Sequence, residues 1–258
     1  MGTSGSCSTA FGMDPTQPDW ACWDNIHLIT DALNPLFKKL RASGTTSNPK
    51  DDVLCFPDRK GCSLLFNQTR IADVDPTDPD NVRRALAEGR KQIVEFWEAV
   101  RGHPAFAKAR ITISGRLGVR EGRRVVGDYM LTAEDCLGEA KFGDMVVACG
   151  YAIDIHDPNG TASTRMQWIP GKGYYHIPYR CLMAKGFSNL LLGSRCISGT
   201  HEAHSSYRVI PPVSAIGQAA GTAAALCVRE GLRDVRKVSV KRIQEALAAA
   251  GQFVEGAR

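Results

Sequence analysis

Apolar residues recur at helical spacing in two long stretches of the chain. The clearer stretch follows Asp78 and Pro79, an N-cap residue and a first-turn proline, and ends at Gly102. Its apolar positions repeat every three or four residues: Val82, Leu86, Ile93, Phe96, Trp97 and Val100. This spacing predicts an amphipathic helix. A second helix is predicted over about 23–40, followed by a polar loop over 42–52.

The apolar pattern changes to alternation in the middle of the chain. Residues 109–119 and 123–131 predict two strands around a turn at Glu121 and Gly122, and residues 144–156 predict another strand. Residues 189–199 predict a short buried strand bounded by glycine. Helices and strands interspersed in this way predict an α/β (α+β) fold.

The last quarter of the chain predicts two more helices. The first covers about 213–229 and carries Gly217 and Gly221, with no bulky side chain on its early turns. Glycine inside a helix costs roughly 1 kcal/mol relative to alanine, so a group must come close to this backbone. That group is either a ligand or a packed segment of the chain itself. The final helix covers about 239–250, from a serine N-cap to Gly251.

Composition and charge narrow the class of protein. Hydrophobic residues make up 43% and charged residues 23% of the 258 residues, which is ordinary globular content for one large or two smaller domains. The net charge of +5 is scattered, without the basic stripe of a nucleic-acid binder. No apolar run approaches the length of a membrane span. Nine dispersed cysteines without a C-x-x-C pair, and no secretory signal, predict buried free thiols and a cytoplasmic location.

Polar residues that could take part in catalysis cluster just before the small-residue helix. The segment is predicted to be a loop and carries His201, His204 and Arg208. Histidine has an unperturbed pKa near 6.5, which suits a general base, although a loop histidine more often lies at the surface. The two histidines lack H-E-x-x-H spacing, and only an addition such as His156 or His176 would complete a metal site, so no metal is predicted.

Five sequence blocks follow one another in the second half of the chain: GVREGRRVVGDYMLTAED (118–135), DIHDPNG (154–160), YYHIPYRCL (174–182), NLLLGSRCISGTHEA (189–203) and RVIPPVSAIGQAAGTAAAL (208–226). In this order they resemble the C-terminal half of FAD-dependent oxidoreductases of the glutathione-reductase-like superfamily, in the branch related to fumarate reductases. Upstream, FNQTRI and DPTDPDNVRRALAEGRKQI are similar to the inserted substrate domain of that family. The resemblance implies a substrate domain with a mixed or antiparallel sheet over 1–180. The C-terminal part of an FAD-binding Rossmann-like domain would cover 181–258.

The resemblance also implies FAD as cofactor and hydride transfer from a small polar organic substrate. The residues that would approach the ribityl and pyrophosphate groups of FAD are Gly193, Ser194 and Arg195. The small-residue helix would begin next to the flavin, with its first amides facing the N1–C2=O edge of the ring. Negative charge builds at this edge when the flavin is reduced. The residues that would supply these amides are Ile216, Gly217, Gln218 and Ala219.

The segment between these two groups would then lie on the substrate side of the flavin. His201 or His204 would act as the base, and Arg208 would hold an anionic group of the substrate or offset charge on the flavin. Three further arginines, Arg120, Arg123 and Arg124, either reach the same cleft or are ion-paired with Glu121 and Asp128.

The dinucleotide fingerprint G-x-G-x-x-G does not occur in the 258 residues. Three interpretations follow. The chain is one subunit of a split enzyme whose partner polypeptide carries the N-terminal FAD-binding βαβ unit, or a C-terminal fragment of a longer enzyme. In the third, it is a non-catalytic binding or scaffold subunit that has lost FAD.

Overall fold

The computed structural model describes residues 3–6, 9–12, 26–50, 52–57, 63–120, 122–155 and 165–256. The chain divides into two compact units, Met1–Arg120 with His156–Ser163 and Glu121–Ile155 with Thr164–Arg258. These units do not follow the predicted boundary at residue 180, and the assignment of a substrate domain and a flavin-contacting segment stays a prediction. Helices mixed with small antiparallel sheets confirm the α/β class.

The first unit combines two antiparallel sheets with two helices. Its elements are β1 (Thr3–Ser6), β2 (Thr9–Gly12), α1 (Ile26–Ala42), β3 (Cys55–Pro57), β4 (Ser63–Phe66), β5 (Ile71–Val74), α2 (Pro79–Val100), β6 (Arg110–Ser114) and β7 (Gly118–Val119). One sheet has the order β3-β4-β2-β6 and the other the order β5-β1-β7. Every pair in both sheets is antiparallel.

Helix α2 confirms the strongest start signal of the sequence. The Asp78 carboxylate accepts the amide of Asp80 at 2.9 Å, and Pro79 occupies the first helical position. The apolar face of α2 packs into the core of the first unit, where the Phe96 ring lies 6.1 Å from that of Phe37 on α1 and 5.2 Å from that of Phe66 on β4. Helix α1 is also confirmed from residue 26, while its predicted first residues, 23–25, lie outside the described residues.

The second unit contains the remaining elements: α3 (Ala133–Leu137), β8 (Met145–Cys149), β9 (Ile153–Ile155), β10 (Arg165–Gln167), β11 (Tyr175–Pro178), α4 (His201–Tyr207), α5 (Ile210–Arg229) and α6 (Val240–Ala249). Strand β8 pairs with β11, and β9 pairs with β10, both antiparallel. The core forms where β8 and β11 meet the inward faces of α5 and α6, and it includes Val146, Tyr175, Ile216, Ala219 and Ile243.

Two of the strand predictions in the middle of the chain need correction. The predicted hairpin of 109–119 and 123–131 is wrong, because β6 pairs with β2 and β7 with β1, while 123–131 is not a strand. This segment instead bonds to irregular chain on both sides: the Val125 amide donates to the Cys196 carbonyl, and the Val126 carbonyl accepts the Lys185 amide, both at 2.9 Å.

The other strand predictions hold only in part. Residues 144–156 form two strands, β8 and β9, separated at Gly150–Ala152. Residues 189–199 do not form the predicted strand; they make only single bridges and a turn in which the Ile197 amide donates to the Ser194 carbonyl. The Ser194 hydroxyl accepts the Cys196 amide at 3.3 Å, and a local bond of this kind competes with pairing in a sheet.

The predictions for the C-terminal helix and for the thiols are confirmed within the described residues. The Ser239 hydroxyl caps α6, and Gly251 follows it with φ of 84°. The six described cysteines are free. Cys196 is half-buried and the other five are buried: Cys55, Cys136, Cys149, Cys181 and Cys227. Burial raises the pKa of Cys55 and Cys136 to about 12. Cys7, Cys22 and Cys62 lie outside the described residues.

Within the described ranges, no single helix has the length and apolar character of a membrane span. Helices α4 and α5 reach that length and apolar character only when they are taken together, and the two helices are bent by 94° relative to each other.

Candidate functional site

The predicted catalytic and cofactor-binding residues fall in the second unit, on and around α4 and α5, while Arg120 is the last residue of the first segment of the first unit. The segment from His201 onward is not the predicted loop but helix α4. The Thr200 hydroxyl caps it by accepting the Ala203 amide at 3.3 Å. His201 and Glu202 at its start are half-buried, whereas residues 203–207, the buried part of the helix, are enclosed on all faces.

The two histidines of α4 lie in different environments. His201 is half-buried, whereas His204 has no solvent-exposed surface and its ring meets that of Tyr207 edge-on, with 5.4 Å between centroids. Among the described residues, neither ring nitrogen of His204 has a hydrogen-bond partner. Burial, followed by the positive charges of nearby arginines, lowers the pKa of His204 to about 3. His204 is therefore neutral at pH 7.

Several positive charges lie near His204. In order of their effect on its pKa, they come from Arg124, Arg208, Arg195 and His201. Arg208 is largely compensated: its Nη2 donates to the main-chain carbonyl of Asp154 at 3.0 Å and lies 3.8 Å from the Asp154 carboxylate. Arg195 is exposed on the turn that follows Gly193.

Arg124 lies beside an open cleft of about 330 Å³. Its Nε donates to the Gly199 carbonyl at 2.9 Å and its Nη1 to the Gly122 carbonyl at 3.3 Å. The cleft is lined by Gly122, Arg123, Arg124, Val125, Val126, Met130, Gly199 and Thr200. Arg123 and Arg124 therefore line a cleft. An ion pair of these arginines with Glu121 stays a prediction, because Glu121 lies outside the described residues. Asp128 pairs with Arg236, whose Nε lies 2.6 Å from its Oδ2.

Helix α5 begins earlier than predicted, at Ile210 rather than near residue 213. Pro211 and Pro212 occupy its first turn, where the absence of an N–H is tolerated. The expectation that the helix is entered at residues 216–219 is consequently wrong. Their amides lie inside the helix and donate to carbonyls four residues earlier. Ile216 and Ala219 also face the core, while Gln218 is exposed.

The chain itself approaches the small-residue face of α5. A Cβ added at Gly217 would lie 3.3 Å from the carbonyl oxygen of Gly193, and one added at Gly193 would lie 3.4 Å from the Cβ of Ala220. Close packing within the protein therefore accounts for Gly217. Gly221 has no such neighbour within 4 Å.

His176 and Glu255, which lie outside α4, contact each other. His176 accepts the Phe142 amide through Nδ1 at 3.1 Å, and its Nε2 lies 2.7 Å from the Glu255 carboxylate. Within the described part of the chain, no three metal-ligating side chains come together. His156 lies outside the described residues.

A family model described as FAD dependent oxidoreductase matches residues 3–247. The chain belongs to this family. FAD is accordingly its cofactor, as the sequence blocks implied. No curated protein and no solved structure matches the chain.

The residues present fit part of this cofactor's chemistry. Arg124 and Arg195 supply positive charge that suits an anionic group, such as a pyrophosphate or a substrate carboxylate. Buried polar atoms at His204 and Ser198 lack hydrogen-bond partners among the described residues, which is unusual for a protein interior. The amides of residues 216–219, by contrast, are already used within α5.

Proposed function

We propose that this member of the FAD-dependent oxidoreductase family carries out hydride transfer from a small polar organic substrate. When bound, FAD supplies the two-electron acceptor for that reaction. The observation that carries the proposal is the cleft beside Arg124, because it brings an uncompensated guanidinium next to the first turn of α4, where His201 lies.

We assign the role of base to His201. Removing a hydride from an alcohol or amine carbon requires that a proton also be removed, and a positioned histidine is the commonest group for this task. His201 is half-buried and directly follows Thr200, which lines the cleft. His204 is enclosed, and its pKa of about 3 makes it a much weaker base. We therefore place His204 behind the site as an interior residue.

The charged groups of the site have separate roles in this proposal. Arg124 binds an anionic group of the substrate, a role that the sequence suggested for Arg208. Arg208 instead holds β9 to the end of α4 through Asp154. Gly193, Ser194 and Arg195 contact the ribityl and pyrophosphate region of FAD, which the exposure of Gly193 and Arg195 supports.

The contribution of α5 to cofactor binding is smaller than the sequence suggested. Gln218 is exposed and Gly217 is half-buried, so these two positions remain candidates for contact with the ring. Ile216 and Ala219 support them from the core side.

We further propose that a segment outside these 258 residues binds the adenosine end of FAD, since the sequence lacks G-x-G-x-x-G. That segment belongs to a second polypeptide or to a longer form of this chain. A cytoplasmic location accompanies the proposal, because the described cysteines are free thiols. The alternative is a binding or scaffold subunit that has lost FAD, and the engaged amides of α5 favour it.

Co-purification with flavin separates these alternatives. The chain is expressed alone and together with the polypeptide encoded immediately upstream, and flavin absorption and its bleaching by candidate alcohols and amines are recorded. We expect a flavin spectrum only in the assembled protein. No flavin in either preparation would overturn the proposal in favour of the scaffold subunit.

Two arginine variants sharpen this test. Arg195→Gln should reduce flavin retention because it removes a positive charge proposed to face the pyrophosphate. Arg233→Gln removes the same charge at an exposed position that does not line the cleft, and it should retain flavin like the unmodified protein.

A further inference from the structure

Arg124 differs from other arginines of the second unit in the groups that hold it. Arg180 and Arg236 each lie within hydrogen-bond distance of a carboxylate, Asp144 at 2.9 Å and Asp128 at 2.6 Å. Among the described residues, the acceptors of Arg124 are both main-chain carbonyls and neither is a carboxylate. Among the described residues, its positive charge is therefore oriented by hydrogen bonds but not neutralised by a carboxylate.

The walls of the cleft beside Arg124 are largely apolar. Val125, Val126 and Met130 line it and are 38%, 55% and 45% exposed. Thr200 adds one hydroxyl, whose oxygen accepts the Ala203 amide and whose hydrogen remains available for donation. Arg123 also lines the cleft, but it is engaged in an interaction of its own. The cleft thus combines positive charge at Arg124 with sides that favour hydrocarbon.

Main-chain hydrogen bonds fix both sides of this cleft. On one side the Val125 amide donates to Cys196, and on the other the Thr200 amide donates to the Leu131 carbonyl at 2.8 Å. The bond from Arg124 Nε to Gly199 joins the two sides. A volume of about 330 Å³ lies near the lower end of the range for small-molecule sites, about 300–1,000 Å³. The site is preformed and suits a small ligand.

We propose that this cleft binds a small monocarboxylate with an apolar chain. Its carboxylate is held by Arg124 and the Thr200 hydroxyl, and its chain lies along Val125, Val126 and Met130. A guanidinium matches a carboxylate in shape and charge. A second charge on the ligand would lie against hydrocarbon, which disfavours a dicarboxylate. The inference rests on the proposed function, for which it names the groups that the cleft recognises. The substrate itself would also carry the alcohol or amine carbon that is oxidised, and a simple carboxylate is its unreactive probe.

Calorimetric titration of the full chain without flavin tests this inference. The probes are hexanoate, butyrate, succinate, inorganic phosphate and 1-hexanol. We expect hexanoate to bind more tightly than succinate, phosphate or hexanol, and each added CH₂ from butyrate to hexanoate to raise the affinity by up to about fourfold. Equal affinity for hexanoate and succinate, or no dependence on chain length, would overturn the inference.

Variants locate the binding. Arg124→Gln should weaken hexanoate binding by about tenfold or more, as expected for loss of a charged hydrogen bond, and Arg124→Lys should recover part of that loss. Arg233→Gln is the matched control and should bind hexanoate normally. Val126→Asn should reduce the gain from chain length without abolishing butyrate binding. Unchanged hexanoate affinity in Arg124→Gln would place binding elsewhere and overturn the assignment.

The titration is independent of flavin loading. If the assembled protein holds flavin but the carboxylate series fails, only the ligand class is wrong. If hexanoate binds as expected but no preparation holds flavin, the cleft is a binding site and the proposed oxidoreductase function fails.

Discussion

The start of α4 and its buried part, residues 203–207, are only a few residues apart, yet they differ in access to solvent and in the charge around them. His201 is half-buried next to a cleft that carries an uncompensated arginine. His204, one turn later, has no exposed surface and a pKa lowered to about 3. Residue type alone therefore does not identify a base. Residues three apart lie on the same face of a helix, so the two histidines differ in how deeply their turns are buried and not in the direction of their side chains.

The dependence of stability on acid tests the buried part of α4. The unfolded chain binds a proton at His204 below about pH 6.5, while the folded protein does not until about pH 3. The folded state therefore has its full stability above pH 6.5 and loses it as the pH falls toward 3, by about 2 kcal/mol at pH 5.

Replacement of His204 should remove this acid sensitivity. His204→Phe keeps most of the side-chain volume and should show a smaller difference in the free energy of unfolding between pH 7.5 and pH 5, measured by urea denaturation. His103→Gln in the first unit is the control and should keep the full difference. An identical pH dependence in His204→Phe and the unmodified protein would show that His204 is not buried in its neutral form.

Tyr207→Phe tests whether the buried part of α4 stabilises the turn that lines the cleft. The Tyr207 hydroxyl is buried and donates to the Ile197 carbonyl at 3.0 Å, just before Gly199, which accepts from Arg124. Removing the Tyr207 hydroxyl leaves the Ile197 carbonyl without this donor and should destabilise the protein by about 1–3 kcal/mol. Thermal unfolding measures the loss. A melting temperature equal to that of the unmodified protein would mean that this hydrogen bond does not hold the turn.

Substitutions at two glycines of α5 should change the stability in opposite directions. Gly217→Val introduces a side chain against the Gly193 carbonyl and should cost about 1–3 kcal/mol through overpacking. Gly221→Ala meets nothing within 4 Å and should stabilise the helix by up to about 1 kcal/mol. Denaturation of both variants gives the values. Stabilisation by Gly217→Val would contradict the packing of α5 on Gly193.

Local signals in the sequence were sufficient for several elements. Asp78 and Ser239 mark helix starts through hydrogen bonds that span two or three residues, and both are confirmed. The Pro211–Pro212 pair also marks the true start of α5, but the small residues that follow it drew the predicted start too far along the chain.

Hydrogen-bond and ion-pair partners that are distant in the sequence could not be predicted from local signals. The 123–131 segment alternates like a strand, but it bonds to two irregular segments about sixty residues later rather than to a sheet. The sequence favours Arg208 as the anion-binding residue and leaves the role of Arg124 open. Only the fold shows that Asp154, 54 positions away from Arg208, offsets its charge and leaves Arg124 as the better candidate.

The most direct test compares the two histidines of α4 in the flavin-loaded protein. The rate of FAD reduction is measured in a single turnover, at equal flavin content, for His201→Ala and His204→Phe. We expect His201→Ala to lower the rate by about 10²–10⁴-fold, the usual contribution of a general base, and His204→Phe to keep a rate close to that of the unmodified protein. A rate that is unchanged in His201→Ala, or that falls more in His204→Phe, would contradict the account.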